Sequence, residues 1–76
     1  PENTGGKSGP KPEAVADDFK PDEYNKVFND DKELWMEGDF KGGRLYDGRL
    51  YVYDEDGLLL KVEVYKEGKY HSDGQL

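Results

Sequence analysis

The sequence predicts an all-β fold, a single twisted antiparallel β-meander built from about two hairpin repeats. Three observations predict it. After residue 22, apolar and polar residues alternate over short runs, as in strands with one buried face. Glycine or Asx residues separate these runs and supply the positive φ of tight turns. The chain also resembles itself at a spacing of 25 residues, in the range of a small supersecondary unit.

The internal repeat aligns residues 28–44 with residues 53–69. Aromatic residues match aromatic residues, since Phe28 falls on Tyr53 and Phe40 on Tyr65. Further on, the sequence matches better with one extra residue in the second copy, which aligns 47–50 with 73–76. The repeat therefore predicts a unit that stacks on copies of itself.

Composition divides the chain near residue 22. All four prolines lie in residues 1–22, together with a single aromatic residue, Phe19. Such a stretch buries too little apolar area to offset the entropy of ordering it. We therefore predict a flexible, disordered tail or linker over 1–22, with no fixed structure up to about residue 18, followed by a β-repeat domain over 23–76.

Three runs in this domain predict strands, and one segment allows two interpretations. The runs are 34–40, 49–53 and 60–65, and the predicted turns lie at 29–31, 41–43, 47–48, 54–57, 66–68 and 72–74. Segment 21–28 has proline and acids where a helix would begin. Because Phe28 aligns with Tyr53, we favour a strand over the second half of this segment. The sequence thus predicts four to six strands, the first starting between residues 22 and 34.

Charge and composition exclude several classes of partner. The net charge of -7 disfavours nucleic acid and acidic membrane surfaces, which require an excess of Lys and Arg. No apolar run approaches the roughly 20 residues of a membrane-spanning helix, so we expect no membrane insertion. The absence of cysteine excludes disulfides and thiolate metal sites but leaves the redox compartment open.

The chain starts at Pro1 and not at a methionine, which suggests that an upstream part was removed. A cleaved signal peptide is one candidate for that part. This observation favours an extracytoplasmic location, although a cytoplasmic one stays open.

The chemical motifs do not predict an enzyme. Residues 54–57 resemble the start of a calcium loop, but the twelfth position of that loop is Tyr65 and not an acid. His71 stands beside Ser72 and Asp73, too close in sequence to indicate a catalytic triad. We therefore expect no catalytic residue, no metal site and no cofactor; a looser calcium site shared between the acidic turns at 29–31 and 54–56 is a weaker alternative to plain hairpin turns.

Two segments carry a resemblance to a known family. Residues 53–58 have the pattern Tyr, three residues, Gly, Leu, and residues 64–70 read Val-Tyr-Lys-Glu-Gly-Lys-Tyr. This unit resembles the variant MORN repeat of bacterial proteins, including those called YwqK-type antitoxins. The earlier copy over 28–48 is similar, with Lys32 where a turn glycine is expected. The resemblance covers about residues 26–76 and implies one β-hairpin per repeat, laid edge to edge into a curved sheet that serves as a scaffold or protein-binding surface.

Four aromatic residues are the candidate binding residues. Trp35, Tyr51, Tyr53 and Tyr65 fall on the opposite pleat phase from the most apolar residues of their own strands. Rigid amphipathic rings on an open sheet face suit recognition of a protein or peptide, although the structural alternative is that they pack in the core. The predicted function is a non-catalytic protein-protein interaction module that binds through the sheet face or edge, with edge-to-edge self-association possible. The alternative is a structural spacer in an array or in a cell-surface or secreted protein.

Overall fold

A computed structural model describes residues 9–75 and contains one antiparallel sheet of five strands in chain order. The strands are β1 (Tyr24–Phe28), β2 (Leu34–Lys41), β3 (Arg44–Tyr53), β4 (Leu59–Lys66) and β5 (Lys69–Asp73). The predicted all-β meander is confirmed, as is a strand over the second half of segment 21–28. Over residues 9–75, no helix is long and apolar enough to cross a membrane.

The 25-residue repeat governs the backbone of the sheet. Strands β2 and β4 have the same length and start 25 residues apart (59 minus 34). The register irregularity after Val27 recurs after Val52, and the one after Asp39 recurs after Val64. Repeated bulges mean that both hairpins bend and twist at equivalent points.

The two acidic turns share one hydrogen-bond pattern. They span 29–33 between β1 and β2, and 54–58 between β3 and β4. In each turn the Oδ1 atom of the first residue accepts backbone N–H groups from the third and fifth residues, at 2.8–2.9 Å. The fourth residue has positive φ, 65° at Lys32 and 83° at Gly57. The expectation of a turn glycine at position 32 thus has a physical basis.

We expect Lys32→Gly to stabilise the protein by about 1 kcal/mol. A non-glycine residue in the left-handed region costs about 1–2 kcal/mol, and relieving this cost outweighs the extra entropy of a glycine in the unfolded chain. The reverse change at the equivalent position, Gly57→Lys, should destabilise the protein by at least as much, because its Cβ atom would also stand 2.9 Å from Glu33 Oε2. Urea denaturation measures both changes, and equal signs for the two variants would contradict the explanation.

Two details of the sequence prediction are wrong. The predicted turns at 47–48 and 72–74 are not turns, because β3 runs unbroken from Arg44 to Tyr53 and β5 continues to Asp73. In β3, Gly48 lies directly opposite Gly38 of β2. A Cβ atom on Gly48 would overlap the carbonyl oxygen of Glu37, so this glycine permits a close approach of two backbones and not a turn.

The extra residue predicted in the second copy is also absent from the structure. Asp39 pairs with Asp47 in the first hairpin, and 25 residues later Val64 pairs with Ser72. Ser72 therefore stands at the place of Asp47. The sequence match of Asp47-Gly48 to Asp73-Gly74 does not reflect structural equivalence.

The tips of the β2–β3 and β4–β5 hairpins donate backbone hydrogen bonds to an earlier segment of the chain, and both tips do so with the same pattern. Both tips have positive φ at their two central residues, as a type I′ turn requires. Gly43 donates its N–H to the Pro21 carbonyl at 3.2 Å, and Gly42 donates to Asp22 Oδ1 at 2.8 Å. The tip at 67–68 makes the same two bonds to residues 46 and 47, at 2.8 and 2.9 Å. Residues 21–22 thus take the place that 46–47 take in the next unit, and the structural repeat begins inside the predicted tail.

The main core cluster lies on one face of the sheet, and Val62, paired with Tyr51, is a further buried residue outside this cluster. Val27, Met36, Phe40 and Leu45 are buried and pack together. Phe19, from the segment before β1, covers this cluster with its ring edge-on to Phe40, at 5.2 Å between centroids. Most of the stabilising apolar burial is therefore concentrated around Phe40.

The described part of the predicted tail contacts the sheet. Gly9 and Pro12 are buried, the Pro10 carbonyl accepts the Leu45 N–H at 2.9 Å, and the Gly9 carbonyl accepts Arg44 Nη1 at 3.2 Å. These bonds cross the predicted domain boundary at residue 22. The predicted disorder of residues 1–8 falls outside the described residues, and the mobility of 9–22 stays a prediction.

Candidate functional site

A groove opens where β2 begins and β3 ends. The last residue pair of these two strands at this end is Met36 with Leu50, and beyond it the strands diverge. The Tyr53 hydroxyl spans the gap and donates to the Leu34 carbonyl at 2.6 Å. Together with Trp35 and Tyr51, Tyr53 forms the aromatic wall of a shallow groove of about 340 Å³.

Strand geometry and hydrogen bonds fix the aromatic rings. Tyr51 and Tyr53 are two residues apart in β3, so the pleat places them on the same face. The Tyr51 hydroxyl donates to Glu37 Oε1 at 3.4 Å, and the Tyr24 hydroxyl donates to the other oxygen, Oε2. One carboxylate therefore contacts tyrosines from two strands; the Tyr51 contact is longer than a strong O–H···O hydrogen bond, whereas Tyr53 is held by its short bond to the Leu34 carbonyl.

The acidic turns supply the rim of this groove. Its charged lining residues are Asp31, Glu33 and Asp54, and no lysine or arginine among residues 9–75 lines it. Glu33 Oε1 accepts the Asn29 side-chain amide at 3.0 Å. A Cβ atom on Gly57 would stand 2.9 Å from Glu33 Oε2, which shows that the two acidic turns are neighbours. Three aromatic rings and three carboxylates thus converge from two equivalent turns and two strands.

The tyrosine hydroxyls report the negative character of this region. Burial raises the pKa of Tyr51, the Glu37 charge raises it further, and the Arg49 charge opposes part of this rise. Burial also raises the pKa of Tyr53, with an additional effect of the Glu33 charge. Both phenols consequently stay protonated and can act as hydrogen-bond donors well above neutral pH.

The structure brings together three of the four predicted binding residues. Trp35, Tyr51 and Tyr53 share the groove, whereas Tyr65 packs against the core and stands opposite Gly48. The three groove residues are half-buried and not fully exposed. Trp35 also contacts the core cluster, so its ring has both a structural and a surface side. Whether any of the four binds a partner stays a prediction.

Sequence reasoning missed several members of this surface. It did not single out Glu37, although the alternation of Trp35, Glu37 and Asp39 already placed this acid on the same pleat phase as the tryptophan. It treated 29–31 and 54–56 only as turns and as a weak calcium alternative. It also passed over the exposed rings of Tyr24, Phe28 and Tyr70, for which no periodic signal distinguishes exposure from burial.

The other residues considered for metal binding or catalysis lie apart from one another. Within residues 9–75, no group of three or more His, Cys, Asp or Glu side chains has the geometry to hold a metal ion. Asp54 Oδ1 is engaged by two backbone N–H groups of its own turn. His71 Nδ1 lies 3.1 Å from Ser72 Oγ, and the pair sits on the exposed strand β5.

A second depression, of about 670 Å³, lies between the two type I′ hairpin tips. Its charged lining residues are Lys41, Arg44, Glu67 and Lys69, and Tyr46 is its aromatic residue. The Lys41 ammonium already stands 4.2 Å from the Tyr46 ring centroid in a cation–π contact. Because a cation of the chain already lies over this ring, the groove of Trp35, Tyr51 and Tyr53 is the better candidate site.

Comparison of the chain with protein-family models, with curated proteins and with solved structures finds no match. A function for this chain is therefore inferred from the geometry of the groove and from the resemblance of the repeat motifs.

Proposed function

We propose that this protein is a non-catalytic protein-protein interaction module that binds its partner through the groove of Trp35, Tyr51 and Tyr53. The observation that carries the proposal is the convergence of three aromatic rings in one open groove. Aromatic side chains are enriched where proteins bind each other, because they bury a large area at a small cost in side-chain entropy. Tyr53 is already oriented by its hydrogen bond to the Leu34 carbonyl, which lowers that cost further.

The resemblance to the variant MORN repeat supports the same class of function. Such repeats imply hairpins laid edge to edge, and the 25-residue hairpin periodicity of this sheet is compatible with that arrangement. A bacterial origin and an antitoxin role are implications of the resemblance alone.

The sheet edges offer a second route of association. Within residues 9–75, no strand pairs with the outer side of β1 or of β5. Tyr70 is exposed on β5 and donates its hydroxyl to Asp73 at 2.8 Å. An open edge presents unpaired backbone groups to another strand, but the charges of β5 oppose indiscriminate pairing.

Three single alanine variants separate these possibilities. Tyr51→Ala removes a groove ring, Tyr65→Ala removes a ring that packs on the core, and Tyr70→Ala removes an exposed ring of the β5 edge. We expect Tyr51→Ala to lose captured partner by at least about tenfold while the protein stays folded, since groove aromatics act as binding hot spots. Tyr65→Ala should lower the free energy of unfolding by about 2 kcal/mol or more. Tyr70→Ala should leave partner capture unchanged and cost only about 1 kcal/mol of stability, because its ring lies edge-on to Tyr65 at 6.2 Å between centroids.

The measurement combines affinity capture from host extract, quantified by mass spectrometry, with urea denaturation of each variant. Loss of partner in Tyr70→Ala but not in Tyr51→Ala would transfer the binding site to the β5 edge. If no captured protein depends on any of the three rings, the structural spacer replaces the binding module as the preferred function.

A further inference from the structure

We propose that the groove is a cation site that takes an arginine side chain from a basic segment of the partner. The inference rests on the proposed function and deepens it by naming the chemistry of the ligand. Three observations carry it: the charge of the lining, the nature of the wall and the absence of a competing cation in the lining.

The charge of the lining selects a cation. Asp31, Glu33 and Asp54 stand on the rim, and in the part of the chain that the structure describes no lysine or arginine lines the groove. Each of these acids comes from one of two neighbouring turns that share the same backbone geometry. An anionic partner segment would be repelled there, and the net charge of -7 adds a field of the same sign around the whole protein. Charge complementarity therefore favours a basic segment.

The aromatic wall selects a soft organic cation over a metal ion. Cations bind over the faces of Trp and Tyr rings through the ring quadrupole, and arginine does so more often than lysine. The carboxylates do not form a cluster that could coordinate a metal. A planar guanidinium can stack on a ring and still donate hydrogen bonds to carboxylates at its edge. The groove offers both kinds of contact side by side.

The oxygen atoms around the groove are suited to accept these hydrogen bonds. Glu33 uses Oε1 for the Asn29 amide, which leaves Oε2 directed toward the neighbouring turn at Gly57. Asp54 uses Oδ1 for its own turn, which leaves Oδ2. Each of these two acids thus keeps one carboxylate oxygen to which a guanidinium can donate a charge-assisted hydrogen bond.

The test uses the fluorescence of Trp35, which is the only tryptophan of the chain and forms part of the wall. The probe is a short Gly/Ser peptide with two arginines and blocked ends. Two comparison peptides replace both arginines by citrulline, which has nearly the same shape without the charge, or by lysine. We expect the arginine peptide to change the Trp35 emission with saturation, and the citrulline peptide to bind at least about fivefold more weakly.

Two matched variants distinguish specific binding in the groove from the long-range electrostatic attraction of an acidic protein. Glu33→Gln removes one charge from the groove, whereas Glu55→Gln removes the same charge from an exposed turn position outside the lining. We expect Glu33→Gln and Tyr51→Ala to weaken the arginine peptide about threefold or more, and Glu55→Gln to leave its affinity unchanged. Backbone NMR spectra of each variant verify that the sheet is retained.

Several outcomes would overturn the assignment. Equal binding of the arginine and citrulline peptides would exclude a cation site, and equal binding of the lysine peptide would exclude the preference for arginine. Equal losses in Glu33→Gln and Glu55→Gln would reduce the effect to long-range attraction. If the arginine peptide fails while Tyr51→Ala still loses the captured protein, the partner binds this groove through a different chemistry and the proposed function stands without the inference.

Discussion

Gly48→Ala is expected to destabilise the protein by about 3 kcal/mol or more, which is a large fraction of the stability of so small a domain. Gly48 and Gly38 face each other where β2 and β3 approach most closely. A Cβ atom on Gly48 would overlap the Glu37 carbonyl oxygen and lie 2.7 Å from Gly38 Cα. Both obstacles are backbone atoms, so the clash can be relieved only by separating the strands. Urea denaturation and the dispersion of amide signals in NMR spectra measure the loss.

Gly42→Ala is the control for this prediction. Gly42 has a positive φ of 59°, and no atom lies within 4 Å of an added Cβ. Its replacement therefore tests backbone strain without steric overlap and should cost about 1–2 kcal/mol. If Gly48→Ala costs no more than Gly42→Ala, the two strands tolerate separation and the explanation from close approach fails.

The Gly38 and Gly48 pair also shows where sequence reasoning reaches its limit. Period-two alternation located β2, the end of β3 and β4, because a sheet with one buried face imposes that pattern. Asp47-Gly48 has the composition of a hairpin turn, and only the partner strand reveals that it lies within β3. A glycine at a close approach and a glycine in a turn are alike in sequence, since they differ in a contact that is distant along the chain.

Part of the candidate site was also predictable from the alternation of residues along each strand. Trp35, Tyr51 and Tyr53 share one pleat phase, and the pairing of Glu37 with Arg49 places Trp35 beside Tyr51. The sequence groups Tyr65 with them because Val62 and Val64 form the apolar side of β4, and Tyr65 lies on the other side. In the structure Tyr65 packs on the core. The register of a whole sheet decides which face of each strand is covered, and a single strand does not contain that information.

The segment before β1 contacts the sheet, while its predicted mobility stays a prediction. Its prolines and glycines predicted mobility, yet Asp22 and Pro21 accept the β2–β3 hairpin tip in the manner of the residues 25 positions later. Short polar segments can be ordered by backbone hydrogen bonds to a sheet as well as by their own apolar area. Phe19, the only aromatic residue of the segment, adds the apolar part of that attachment.

Phe40→Ala is expected to lower the free energy of unfolding by about 4 kcal/mol, because it empties the centre of the core cluster. Phe40 is only 1% exposed and fully enclosed by strands β1 to β3 and by Phe19. Should this variant be unfolded at all denaturant concentrations, Phe40→Leu gives a smaller loss that can be measured.

The same ring provides the test of the segment before β1. Phe19→Ala should cost about 2 kcal/mol, since Phe19 is half-buried against Phe40 with the rings nearly perpendicular, at 87°. Combined in a double-mutant cycle with Phe40→Leu, it should show a coupling of about 1 kcal/mol, the range expected for an edge-to-face aromatic pair. If Phe19→Ala leaves the urea midpoint unchanged, residues 9–22 are mobile in solution as their composition predicts. A measured coupling instead makes this segment part of the fold, because a mobile chain cannot transmit the loss of a ring to the core.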